Sequence, residues 1–349
     1  MTPRQRAILT SIGVTLGDFP DSIGLDYSKP PKLVMTLTQA AAGFSNPINM
    51  QDTRACFEAW CLIIKAKTKT SNPGLKIELN VNGITVASYH GGKPANGHLG
   101  RFLYRILKFS EQYAGWFQLS PILDNLKNNF KTYLDSHKFV TSAPSGGPKK
   151  DIANYNLESY VEYLFCDSIS AQKDILGLSS GTTIDRQLPV SLFDATKSNT
   201  TGVFTGGKSA IDFWAVDGDT INVYELKSDN PMVGIITEIF FYSNYVHDVF
   251  ISKSLDHGKG HVTTLKDKEE TYRSYDKIGG KKVKGIMLSN SNRKGWHSSL
   301  DKPTRNKIKE IMNKNDMSEA IQYEFLEYQL NQLKIGGYYI SMHIEVLTF

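Results

Sequence analysis

The sequence predicts a mixed α/β protein, and three observations carry that prediction. Segments with helical spacing alternate with short β-branched and aromatic runs along the chain. Two strand-like segments, KSAIDFWAV (208–216) and TINVYELK (220–227), flank Asp217-Gly218, a strong short hairpin signal. The apolar strand VKGIMLSNS (283–291) then follows a helical stretch, as a sheet flanked by helices requires. With 349 residues, 40% of them hydrophobic, the chain can fill cores for about two ordinary domains.

Taken in order, QDTRACFEAWCLIIKAK (51–67) has helical spacing, and LKIELNVNGITVASY (75–89) reads as two strands around Asn82-Gly83. GHLGRFLYRILKFSEQYAGW (97–116) is a further helix. On it Arg101, Arg105 and Lys108 recur at i, i+4 and i+7, so they share one face, with Leu99, Leu103, Ile106 and Leu107 largely elsewhere. Such a stripe either lies along a phosphate backbone or is a solvated face of an amphipathic helix. TSAPSGGPKK (141–150) breaks the periodicity with proline, glycine and small polar residues and reads as a linker. It divides a basic α+β domain, residues 1–140, from a second domain, residues 151–349.

Beyond the linker, NLESYVEYLFCDSI (156–169) places Leu157, Tyr160, Val161, Leu164 and Phe165 on one helical face. A strand, TIDRQLPV (183–190), precedes the hairpin. A helix over about Val233–Phe250 comes next, then a Lys- and Gly-rich loop (252–284), the strand 283–291, two more helical segments (301–333) and a closing strand, GGYYISMHIEVLTF. The string α-β-β-β-α-β describes a mixed sheet flanked by helices.

Charge is unevenly distributed. Residues 1–150 hold 18 Lys+Arg against 9 Asp+Glu, and residues 151–349 hold 22 against 26. A basic front half joined to a slightly acidic back half suits one region that grips a polyanion and another that carries metal-binding carboxylates. No run of about 18 apolar residues is present, and the first residues carry no sustained apolar core with a small-residue cleavage site, which argues for a cytoplasmic protein without a membrane partner. Cys56, Cys61 and Cys166 form no C-x-x-C pair and read as buried thiols.

Residues 202–227 carry two incompatible signatures. Gly202-x-x-x-x-Gly207-Lys208-Ser209 has the spacing of a phosphate-cradling loop, which needs a buried strand before it and a helix after it. DATKSNTT, before Gly202, is too polar for a central strand, and a hairpin follows Ser209, so an ATPase or GTPase is disfavoured. In the alternative, a turn at Asp217-Gly218 pairs Asp212 with Val223 and makes Glu225 its diagonal neighbour, about 7 Å away at Cβ. Asp212, Glu225 and Lys227 then share one face of a hairpin whose other positions are apolar, where charge is costly unless a metal or an ion pair satisfies it.

On Ile211-Asp212, Glu225-Leu226-Lys227 and the α-β-β-β-α-β order, residues 156–291 resemble the PD-(D/E)xK nuclease superfamily, with Ile211 standing where that family often has proline. The resemblance implies a restriction-endonuclease-like core and a metal-dependent endonuclease that hydrolyses DNA phosphodiester bonds in a restriction or phage-defence setting. Asp212, Glu225 and the Leu226 carbonyl would ligate Mg²⁺, with Mn²⁺ a substitute, while Lys227 orients the attacking water. An acid on the first helix completes such sites, Glu158 by position and Glu162 as the alternate. Arg101, Arg105, Lys108, Lys208 and Tyr245 are candidate nucleic-acid contacts, and Tyr242 a core aromatic. Double-strand cutting implies a homodimer, and the N-terminal domain could also meet a defence partner protein or an activating ligand. His257-x-x-x-His261 sits among glycines and His90 and His98 lack a supporting pattern, so neither pair carries a site. The alternative is a DNA-binding or sensor protein that keeps the fold without catalysis.

Overall fold

The computed structural model describes residues 1–84, 93–141, 157–167, 176–182, 184–196, 198, 200–204, 209–255, 279–291, 295–335 and 338–347. The chain is mixed α/β with two main sheets. The first has the order β1 (Gly24–Lys29), β2 (Lys32–Leu37), β3 (Lys76–Val81), β4 (Phe117–Leu119). A capping box opens α1 (Pro3–Ser11), where Thr2 Oγ1 accepts from Gln5 N at 3.2 Å and Gln5 Oε1 accepts from Thr2 N at 2.6 Å. α2 (Phe57–Thr68) and α3 (Gly97–Gln112) are the crossovers between strands, and α4 (Pro121–Ser136) follows β4.

β3 pairs in parallel with β2 on one side and with β4 on the other. Both edges of Ile77–Leu79 are taken, so next to its turn the hairpin expected over 75–89 has only Asn80 and Val81 of β3 free to pair on the β4 side. Asn82-Gly83 still turns, with Gly83 in the left-handed region at φ +69°; residues 85–89 lie outside the described residues.

The second sheet has the order β12 (Tyr338–Leu347), β11 (Ile321–Ile335), β10 (Lys282–Asn290), β9 (Thr220–Lys227), β8 (Ala210–Asp217), β6 (Ile184–Pro189). β6, β8 and β9 form an antiparallel meander, and β9, β10 and β11 run parallel. α6 (Gly234–Val246), continued by a π-helical turn at His247–Ile251, is the crossover from β9 to β10, and α7 (Lys302–Met312) that from β10 to β11. Residues 321–333, expected to be helical, are strand: Ile321, Tyr323 and Phe325 are buried in alternation and pair with β10.

Each face of this sheet is covered differently. Phe213, Tyr224, Leu226 and Leu288 pack with Val161 and Phe165 of α5 (Leu157–Asp167). Trp214, Val223 and Met287 belong to the larger core, shared with α6, α7 and residues 1–140. That core is continuous from Leu9 to Phe325. Phe109 meets Phe240 at 5.4 Å between ring centroids, and Tyr104 meets Phe241 at 5.7 Å. β5 (Phe139–Val140) pairs with β7 (Phe193–Asp194) across the expected linker, whose residues 142–150 lie outside the described residues. Two glycines set this packing, because a Cβ on Gly100 would overlap the Val203 carbonyl and one on Gly234 the Gln51 backbone.

Candidate active site

The site is built on the β8–β9 hairpin. Asp217 pairs with Thr220, so the two turn residues are Gly218 and Asp219, one position later than the sequence suggested. Gly218 takes φ +56°, while Asp217 stays in the strand with its carboxylate accepting from Thr182 Oγ1 at 2.9 Å. The ladder consequently places Trp214, not Asp212, opposite Val223, and one step past its last pair, Phe213–Tyr224, it brings Glu225 directly opposite Asp212. By this register the two are cross-strand neighbours where a diagonal was expected. A one-residue move of the turn shifts pairing by two residues, which preserves face parity, so Asp212, Glu225 and Lys227 remain on one face.

That face meets α6. Lys227 Nζ lies 2.6 Å from Glu225 Oε1 and 3.1 Å from Glu238 Oε2, with all three side chains buried. Only the first of these is a hydrogen bond to Lys227; the Glu225 and Glu238 carboxyl groups also meet each other, and neither Oε2 has a donor from elsewhere. Asp212 Oδ2 accepts from Leu226 N at 2.7 Å, which pins the carboxylate to the neighbouring strand. Glu158, in the first turn of α5, accepts from the Ser228 backbone N–H and acts electrostatically on Lys227. Glu162 is held by Arg186 at 2.9 Å and Gln187 at 2.7 Å, and both it and Glu158 act electrostatically on Asp212.

Glu225 and Glu238 thus contact one ammonium, and Asp212 and Glu158 also act on it electrostatically. Burial pushes the carboxyl groups of Asp212 and Glu225 well above the usual range; Lys227 opposes the rise, while Glu162 and Glu158 add to it at Asp212, and Asp212 and Glu238 at Glu225. Burial also raises Glu158. For Lys227, burial alone would favour the neutral amine, but the attraction of Glu225, Glu238, Asp212 and Glu158 outweighs it and holds the ammonium well above its ordinary value. Glu225 Oε2, which no donor from elsewhere reaches, and the all-carboxylate donor set fit a hard divalent cation. Among the described residues, no three His, Cys, Asp or Glu side chains converge into a ready-made cage.

Glu238 escaped the sequence reading. Its signal was available: it is the only charged residue of α6, GIITEIFFYSNYV, a helix buried on every side. Tyr242, one turn later, is buried, hydrogen-bonded to Ser209, and raised by burial and by Glu238.

The expected nucleic-acid contacts are placed differently. Arg105 is 1% exposed and grips Glu58, and Lys108 Nζ lies 2.6 Å from Asp248, so the basic stripe is turned inward, a correction. α3 packs against α4 and β4, its Arg105 reaches Glu58 of α2, and its Tyr104 meets Phe241 of α6. Arg101 is buried as well but, unlike Arg105 and Lys108, has no carboxylate partner among the described residues, so the correction does not extend to it. Tyr245 is a core residue whose hydroxyl donates to Ser191 O at 2.9 Å, which corrects its assignment to substrate. Lys208, His90, His257 and His261 lie outside the described residues; Ser209 leads into β8, a strand where a phosphate loop needs a helix.

Compared with known proteins, the chain matches no family model, no curated protein and no solved structure.

Proposed function

We propose that this protein is a metal-dependent endonuclease that hydrolyses DNA phosphodiester bonds. The observation that carries the reading is the buried Lys227 ammonium among Asp212, Glu225 and Glu238, with Glu225 Oε2 left without a donor from elsewhere. Burying several acids together raises their proton affinity, a cost that a divalent cation would relieve. The chain order α5, β6, β8, β9, α6, β10, with α5 on one sheet face and α6 on the other, is consistent with the restriction-endonuclease-like core.

Asp212, Glu225, Glu158 and the Leu226 carbonyl would hold Mg²⁺, or Mn²⁺ in its place. When bound, such an ion polarises the phosphoryl oxygen and acidifies a water. Lys227 orients the attacking water and stabilises charge that develops on the phosphoryl oxygens. Glu238 holds the Lys227 ammonium from the helix side. By analogy the enzyme is a restriction or phage-defence nuclease, a homodimer when it cuts both strands, open to a defence partner or an activating ligand.

Cleavage of supercoiled plasmid and of single strands, with Mg²⁺, Mn²⁺ or EDTA, tests the reading in wild type, Asp212→Ala and Lys227→Ala. Metal-dependent cutting lost in both variants, with DNA binding retained, is expected. A second reading, a non-catalytic DNA-binding or sensor protein that keeps the fold, is favoured by the lack of a ready-made cage among the described residues. It predicts DNA binding without cutting under any metal. Among the described residues no helix is long and apolar enough to cross a membrane.

A further inference from the structure

The basic stripe of α3 leaves one cation unmatched. Arg105 makes a two-pronged ion pair with Glu58, and Lys108 pairs with Asp248. Arg101, one turn before Arg105, is 5% exposed, yet no carboxylate comes within ion-pair distance among the described residues. Its Nε is buried without a hydrogen-bond partner. The contact its guanidinium makes is Nη2 to His98 Nδ1 at 3.2 Å. An isolated buried guanidinium is costly, and the same helix avoids that cost at its two neighbouring basic positions.

The location of this exception is informative. Tyr104 packs on Phe241, and Thr237 donates to the Glu58 that binds Arg105, so α3 lies against the stretch of α6 that carries Glu238 and Tyr242. Glu238 attracts the Arg101 charge, while Arg105 repels it. Arg101 therefore stands on the N-terminal half of the chain, on the helix that packs against the α6 stretch bearing Glu238.

We propose that Arg101 is a phosphate-binding side chain of this site, contributed by the N-terminal half and aimed at an oxyanion of the substrate beside Lys227; the proposal rests on the nuclease reading. A guanidinium offers donors in a planar fork that matches two phosphate oxygens, and a phosphodiester would satisfy the unpartnered Nε. Burial lowers Arg101 to about 10, so it remains a cation at neutral pH. Burial and the Arg101 charge both lower His98, which keeps its imidazole neutral and able to accept from the guanidinium. His98 is thus a positioning residue that orients the fork.

The test compares wild type, Arg101→Gln and Arg101→Lys, free of metal, by thermal midpoint with and without inorganic pyrophosphate and by affinity for a short single-stranded oligonucleotide. Loss of a charge-assisted contact should weaken both ligands about tenfold or more in Arg101→Gln, with partial recovery in Arg101→Lys. Without ligand, Arg101→Gln should melt no lower than wild type, because an unmatched buried charge is gone. A lowered unliganded midpoint with an unchanged pyrophosphate response would mark Arg101 as structural and overturn the proposal, as would a wild type that responds to neither ligand. Failure of the nuclease reading looks different: no metal-dependent cleavage by wild type while the Arg101-dependent pyrophosphate response persists.

Discussion

Replacing Arg105 by methionine isolates the burial argument at one carboxylate. Arg105 Nε donates to Glu58 Oε1 at 2.6 Å and Nη2 to Glu58 Oε2 at 2.5 Å, while Nη2 also donates to Ala55 O at 2.8 Å. The guanidinium rests 5.0 Å from the Phe57 ring centroid. Glu58 is 0% exposed, and with Arg105 removed the Thr237 hydroxyl would still donate to it at 3.0 Å. Breaking a buried pair costs about 3–5 kcal/mol. Arg105→Met should therefore lose about 3–5 kcal/mol. Urea unfolding measures this, and a double variant with Glu58→Leu should recover most of the loss. A loss below about 1 kcal/mol, the range of a surface ion pair, would refute the reasoning. A solvated DNA-binding stripe would give the opposite pattern, unchanged stability with weakened DNA binding.

Other expectations follow from the same structure. Because burial raises the Asp212 and Glu225 carboxyl groups, binding of Mg²⁺ or Mn²⁺ should release protons and tighten as pH rises from 6 to 8, readable by calorimetry in buffers of different ionisation enthalpy; a pH-independent affinity would contradict it. For the metal-free protein, a raised folded-state pKa means that the stability contributed by protonated Asp212 is present at low pH and fades as pH rises towards the folded value. Asp212→Asn, which keeps an oxygen for the Leu226 N–H, should gain on wild type by about 1–2 kcal/mol between pH 5 and pH 8 while losing cleavage. Tyr245→Phe removes one buried hydrogen bond to Ser191 O and should lower stability by about 1 kcal/mol with cleavage unchanged per folded molecule. Gly100→Ala forces a methyl into the Val203 carbonyl and should lose about 1–3 kcal/mol in urea unfolding; a neutral result would show that α3 can retreat from that segment.

What the sequence by itself determined is local. Alternation through AIDFWAV and TINVYELK, with glycine at the turn, specifies the β8–β9 hairpin, and period two then puts Asp212, Glu225 and Lys227 on one face whichever residue opens the turn. The spacing of α3 likewise set Arg101, Arg105 and Lys108 on one side of the helix. Tertiary structure decided what those sides face. Glu58 comes from α2 and Asp248 from the turn after α6, so a stripe that looked fit for phosphate became two buried ion pairs and one unmatched guanidinium. Residues 321–333 are rich in Glu, Gln and Leu, which favour helix, but the edge of β10 and a core needing Ile321, Tyr323 and Phe325 on one side outweigh that preference. Glu238 entered the site for the same reason. Helical and strand periods are intrinsic to the backbone and legible over ten residues, whereas the partner across a face is set by burial of the whole chain, and the residues that supply it stand far away in sequence.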